Sequence, residues 1–202
     1  MTYTGYIDES IHDSLGLYAV GMVIADPLLG SVVQDALSPL VPSRRRPHWH
    51  DEEADTRLKM ARAVGTLEVE ARVYICWFDR PRRKEAARAR ALGWLTQDLD
   101  AETRHLLLDR RQDSQQRTDR QMLSVAAGRP ARFGYDHRPS EHEPLLWAAD
   151  IVAGAIAADR VAGNGFTRSS CSPFLRLWKR SPDSAKAERP SCGGKLGLTS
   201  YA

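Results

Sequence analysis

Three carboxylates interrupt apolar runs at wide intervals along the chain. Asp8, with Glu9 beside it, closes the run Tyr3-Thr-Gly-Tyr-Ile7. Asp109 closes Leu106-Leu-Leu108, and Asp150 stands inside the run from Leu145 to Ile156. A carboxylate without a partner is costly in an apolar setting, so each position needs a reason. One reason is shared: three acids that converge can hold a hard cation, and oxygen ligands of this kind suit Mg²⁺ or Mn²⁺. A divalent ion in such a site can activate water and stabilise the leaving oxygen of a phosphodiester, so the chemistry in view is metal-dependent phosphoryl transfer. Each acid taken singly also has a plainer reading, as a turn residue or helix cap.

Convergence depends on the elements that carry the acids. Tyr3 to Asp8 reads as a strand with Tyr6 and Asp8 on one face and Gly5 and Ile7 on the other. Leu15 to Ala25 is a second strand, apolar enough to be buried on both faces, and the short polar link implies an antiparallel hairpin. Residues 28–40 suit a short helix and 41–47 a Pro/Arg loop. Further along, helices are expected over 51–70, 82–99, 114–127 and 144–161, and strands over 71–78, 104–109 and 131–135. This alternation predicts an α/β fold, a mixed sheet flanked by helices. In open α/β sheets, ligand sites gather at the carboxyl ends of parallel strands, where Asp8 and Asp109 both fall. Asp150 has Leu146, Trp147, Ala153 and Gly154 as helical neighbours. It therefore lies on the packed face of its helix, and the small residues let that helix approach the sheet closely.

The chain of 202 residues suits one domain over 1–165, followed by a tail over 166–202 in which the pattern dissolves; residues 181–202 read as disordered. A net charge of +3 excludes a histone-like polycation, while a pI near 8.9 carried by arginine mildly favours an acidic partner such as nucleic acid. Cys76 reads as a core residue, and Cys171 and Cys192 lie in the tail. No CxxC pair or Cys/His framework points to structural zinc, and a reducing, cytoplasmic setting fits. The N-terminus lacks the build of a signal peptide, and no apolar run approaches the roughly 18 residues of a membrane span.

At these residues the chain resembles a known family, domain of unknown function 3800, whose members look like RNase H-fold proteins. The matching segments are Tyr6-Ile-Asp-Glu-Ser10, His48-Trp-His-Asp-Glu52, Glu85-Ala-Ala-Arg88, Leu106-Leu-Leu-Asp-Arg110 and Glu143-Pro-Leu-Leu-Trp-Ala-Ala-Asp-Ile-Val-Ala-Gly-Ala155. They span residues 3 to about 160 in family order, and the variants look most like those of actinobacterial members. The resemblance implies an RNase H-like sheet with acids at Asp8, Asp109 and Asp150, a divalent metal and a nucleic-acid substrate. Two departures bear on geometry. Ile11 stands where the family often has glycine, and Asp109 is one methylene shorter than the glutamate usual there.

Other residues carry two readings each. Glu9 faces away from Asp8 if the strand continues, and joins the site if the chain turns. Asp119 is a supporting group or a solvated helix acid, and Glu143 a site-edge group or a helix cap. Arg44, Arg45 and Arg46 beside Trp49 suit phosphate contact and base stacking, or form a basic loop with Trp49 as its anchor. His48 and His50 suit general-acid chemistry or the orientation of water. Glu85 and Arg88 are spaced to pair on a helix surface, and Arg110 is placed to hold a phosphate. The leading reading is a metal-dependent RNase H-like nuclease or phosphodiester-processing protein, with RNA slightly preferred to DNA. The alternatives are a non-catalytic nucleic-acid or protein-binding module and a component of a toxin or phage-defence system.

Overall fold

A computed structural model describes residues 2–42 and 45–162, and the backbone of Leu175–Leu177. Strand β1 (Tyr3–His12) and strand β2 (Leu17–Ala25) form the expected antiparallel hairpin. Helix α1 (Gly30–Leu37) and helix α2 (Ala54–Thr66) precede β3 (Glu70–Trp77), which pairs antiparallel with β2. Helix α3 (Lys84–Gln97), β4 (Thr103–Asp109), α4 (Asp113–Ala127), β5 (Gly134–Arg138) and α5 (Pro144–Ala162) follow. Leu175–Leu177 adds β6 against β3, giving the sheet order β5-β4-β1-β2-β3-β6. The β1–β4 and β4–β5 pairs are parallel, so β1, β4 and β5 share one carboxyl end.

Two cores follow from the two-residue period of the strands. Tyr6, Leu17, Ala19 and Val23 pack with residues of α1, α2 and α5 on one face. Ile7, Tyr18, Val20 and Met22 pack with Leu92 and Leu95 of α3 and Leu123 of α4 on the other. All nine residues of β2 are buried, as a strand covered on both faces requires. Fully burying a single Leu contributes roughly 1.5–3 kcal/mol, so this three-layer arrangement is held mainly by its two apolar interfaces.

The structure moves several boundaries. β1 runs on to His12 rather than ending at Asp8, because pairing with β2 continues through His12–Leu17. The helix expected over 28–40 is α1 between two short 3₁₀ turns that begin at Pro27 and Ser38. The helix expected over 51–70 begins only at Ala54, after a 3₁₀ turn over Trp49–Asp51. β5 starts at Gly134 rather than residue 131; it is an edge strand whose one buried side chain is His137, so apolar letters were a poor guide to it. The irregular tail expected over 166–202 lies outside the described residues, apart from the β6 backbone. Among the described residues, no helix is long and apolar enough to cross a membrane.

Candidate active site

The β1–β4 register ends at Ile7 opposite Leu108, which brings Asp8 and Asp109 side by side at the carboxyl end of the parallel pair. Across the hairpin, Asp8 lies opposite Gly21. A Cβ at Gly21 would stand 2.7 Å from the Ala149 carbonyl oxygen and 2.9 Å from the Ala153 Cβ. The missing side chain is therefore what allows α5 to lie on the sheet at this level, and the next residue along α5 after Ala149 is Asp150. Gly154 works in the same way one turn later: a Cβ there would fall 2.2 Å from the Trp49 ring. With that ring seated, the Trp49 backbone N–H donates to Asp150 Oδ2 at 2.7 Å.

Each of the three carboxylates is thus held through one oxygen by a backbone N–H. Glu9 N donates to Asp8 Oδ1 at 2.7 Å, and Ser140 N donates to Asp109 Oδ1 at 2.9 Å. Burial pushes the Asp8 carboxyl well above the usual range, and the charges of Asp150, Glu9 and Asp109 push it further. Asp150 is also raised, first by burial and then by Asp109, while the Trp49 N–H, His48 and Arg46 favour its anion. Among the described residues none of the three forms an ion pair. In donor chemistry they fit a divalent cation: all-oxygen, largely buried and mutually repelling. Among the described residues, however, no three His, Cys, Asp or Glu side chains stand close enough together to hold a metal ion as placed.

The extra length of β1 brings Ser10 and His12 onto the Asp8 face. Ser10 Oγ lies 3.1 Å from His50 Nε2, and the His50 ring is 5.9 Å from that of His12 and 6.0 Å from that of His48. Burial lowers the pKa of both His12 and His50, which favours the neutral imidazole, able to accept or relay a proton. Ser10 and His12 escape a sequence reading that ends the strand at Asp8. Their signal is the period of two that continues through Tyr6, Asp8, Ser10 and His12.

Glu9, with the opposite parity, leaves the site. It points into the α3–α4 layer, where it pairs with Arg88 and, at 2.9 Å, with Arg111. Arg88 is 1% exposed and also grips Asp119 with two hydrogen bonds, at 3.1 and 2.9 Å. Asp119 additionally meets His137 Nε2 at 3.2 Å. Although burial raises the Asp119 pKa, His137 and Arg88 outweigh it and bring it down to about 2. Asp119 is therefore not a solvated acid but the counter-ion of a buried arginine behind the sheet. The expected Glu85–Arg88 surface pair is replaced: Glu85 takes Arg111 in a fork at 3.1 and 2.7 Å.

The loop residues divide between anchoring and exposure. Trp49 is buried, with Arg57 over its ring, so it anchors the loop and presents no face to a base. Arg45 pairs with Glu52, and Arg46 donates to Ser140 Oγ, tying this loop to the residue that holds Asp109. Arg44 lies outside the described residues. Arg110 is exposed beside Asp109. Glu143 sits half-buried before α5, with Arg138 3.9 Å away; burial raises its pKa. Glu143 in turn adds to the burial that lifts the Tyr6 hydroxyl to about 12.

No family model matches the sequence, and no curated protein matches it. Solved structures do. The ribonuclease H2 from Pyrococcus horikoshii OT3 superposes with a TM-score of 0.55 at 12% identity, over 80% of this chain and 75% of that one. The RNase HII solved in complex with PCNA from Archaeoglobus fulgidus gives a TM-score of 0.51 at 14% identity, with the same coverage of 80% and 75%. At such identity the likeness speaks for the fold alone, and with the mixed sheet flanked by helices it establishes an RNase H-like α/β fold.

Proposed function

We propose that this protein is a divalent-metal-dependent nuclease or phosphodiester-processing protein acting on nucleic acid. Asp8, Asp109 and Asp150 would hold Mg²⁺ or Mn²⁺. The observation that carries the reading is the cluster itself: carboxylates from two strands and a helix, in which Asp109 adds to the charge cost of Asp8 and Asp150, and none of the three forms an ion pair among the described residues. Proteins relieve that cost by protonation or by binding a cation, and one buried and two half-buried acids on a scaffold this regular suit the second. When bound, the ion would supply Lewis-acid stabilisation of charge on a phosphodiester. The fold likeness to RNase H2 and RNase HII structures and the resemblance to the domain of unknown function 3800 family both support the reading.

The chain's own groups would do the remaining work. The backbone N–H groups of Glu9, Trp49 and Ser140 fix one oxygen of each acid and leave the other free to turn toward a ligand. Neutral His50, steadied by Ser10, can take or return a proton beside the reacting phosphate. Arg110, exposed next to Asp109, is placed to meet the nucleic-acid backbone. RNA stands slightly ahead of DNA as substrate by fold analogy.

The spacing of the acids favours a second reading. Since no three potential ligands are drawn together as placed, a binding module that keeps the fold without cleavage fits that observation. Isothermal titration of Mn²⁺ into the wild type and Asp8→Asn, followed by cleavage of RNA, DNA and hybrid oligonucleotides, decides between them. Binding and cleavage that both disappear in the variant support the nuclease. Oligonucleotide binding with no uptake of Mn²⁺ supports the module.

A further inference from the structure

The same end of the sheet carries a second feature, on the α3 side. A cleft of about 410 Å³ opens between the hairpin turn, the exit of β3 and the first half of α3. Leu15, Trp77, Phe78 and Ala86 line it, with Arg83 and Arg90 at its edge. Its size falls within the roughly 300–1,000 Å³ typical of ligand clefts. The walls are held in place: Phe78 N donates to the Gly16 carbonyl at 2.6 Å, and Lys84 pairs with Asp13 of the hairpin turn at 2.7 Å.

Asp79 also lines this cleft, but basic side chains outnumber acidic ones around it. Arg80, Arg82, Arg83, Lys84 and Arg90 fall within eleven residues of sequence. Asp79 is shared between Arg80 at 3.7 Å and Arg83 at 3.5 Å, so one carboxylate faces two guanidinium groups. Among the described residues, Arg82 and Arg90 have no acidic partner. The cleft is also tied to the candidate active site. Glu85 in the first turn of α3 holds Arg111, two residues beyond Asp109, while Lys84 holds the hairpin that follows Asp8. The first turn of α3 thus bridges the two segments that leave the carboxylates.

We infer that this cleft binds single-stranded nucleic acid, with phosphates on Arg83 and Arg90 and an unstacked base against exposed Leu15 and half-buried Trp77. The inference rests on the nucleic-acid reading above but not on its metal chemistry. A duplex would offer only phosphates here, since its bases are stacked away from the apolar floor. A flexible single strand can offer both, and arginine beside apolar and aromatic surface is the usual platform for it. The cleft would then hold the strand leaving the carboxylates.

The test is fluorescence anisotropy of a short labelled single strand, in chelator and without divalent ion, at several salt concentrations. The wild type is compared with Arg83→Gln/Arg90→Gln, whose exposed substitutions are checked by melting temperature, and with Asp8→Asn. Losing two phosphate contacts should weaken binding about 10-fold and reduce the salt slope by about 1.4, at about 0.7 per phosphate for single strands. Asp8→Asn is assayed in parallel for cleavage of the same strand in Mn²⁺, which reads the metal chemistry separately from the cleft. Equal affinity and slope in the double variant would overturn the cleft and leave the nuclease reading standing. A polyglutamate peptide bound as tightly as the oligonucleotide, with the same loss in the double variant, would overturn nucleic acid as the occupant. Cleavage that survives Asp8→Asn would sink the metal reading while leaving the cleft result intact.

Discussion

Replacing Asp8 by Asn should make the protein more stable in the absence of metal. Asp8 is half-buried and faces the charges of Asp150, Glu9 and Asp109, so its anion costs folding energy that no ion pair repays. Asn keeps the size and the Oδ1 acceptor for the Glu9 N–H, and removes only the charge. Single substitutions that relieve a cost of this kind commonly yield about 0.5–2 kcal/mol. At about 2–4 °C per kcal/mol for a chain of this size, melting should rise by about 1–8 °C in chelator at neutral pH. The pH dependence has a definite sign. A carboxyl whose pKa is raised on folding binds more protons folded than unfolded between its ordinary value, 3.8, and its raised one. Wild-type stability therefore falls as pH climbs through that window, and the advantage of Asp8→Asn grows over the same interval. Mn²⁺ at about 100 times its dissociation constant should add about 2.7 kcal/mol to the wild type by mass action and far less to the variant. Thermal melts across pH, with and without Mn²⁺, test every part. An Asp8→Asn protein less stable than the wild type in chelator would refute the reasoning, because it would mean the charge is compensated inside the fold.

Gly21→Ala should destabilise by about 1–3 kcal/mol, since its Cβ would press on the Ala149 carbonyl and lift α5, and Mn²⁺ affinity should fall with it. Denaturant midpoints and titration of the same samples check both. Arg88→Met should cost about 3–5 kcal/mol, because it takes from Glu9 and Asp119 the buried cation they share and leaves them Arg111 and His137; urea unfolding reads it directly. Asp119, brought down to about 2, contributes stability that is present above the ordinary 3.8 and lost as pH falls through 2. Asp119→Asn should accordingly flatten the acid limb of the stability curve below pH 4, measured by melts in acidic buffers.

The strands and helices were legible wherever one physical signal dominated. The unbroken apolar run of β2 announced burial on both faces, and alternating strands and helices announced the sheet with its two layers. The signal failed where polar residues continue a strand. Asp8-Glu9-Ser10 looks like a turn by composition, yet pairing with β2 carries it through. Trp49 was ambiguous because a tryptophan beside arginines suits a base or a core equally; only the gap left by Gly154, more than 100 residues away in sequence, decides for the core. The Arg88 layer was invisible for a related reason. A helical arginine near a glutamate suggests an i,i+3 surface pair, and nothing local says that the helix turns that arginine inward toward β1 and α4.

The adjacent acids Asp8 and Glu9 show why parity matters more than proximity. In a strand, neighbours in sequence face opposite layers, so a continuous β1 cannot deliver both carboxylates to one side. The structure resolves them unequally. Glu9 receives two guanidinium groups from Arg88 and Arg111, while Asp8 receives none and meets further acids instead. Both cations come from segments of the same layer, one from α3 and one from the connection that follows Asp109, so the cations collect behind the sheet and the excess negative charge in front. Glu9 is thereby committed to holding the layer together, and Asp8 is left without an ion pair, which under the proposed reading a bound cation would supply. If Glu9 were instead required as a ligand, β1 would have to break after Asp8 and release Arg88 and Arg111. Glu9→Gln discriminates: it should lower stability through the arginine layer yet leave Mn²⁺ affinity within about twofold, whereas a tenfold loss of affinity, about 1.4 kcal/mol, would place Glu9 at the metal.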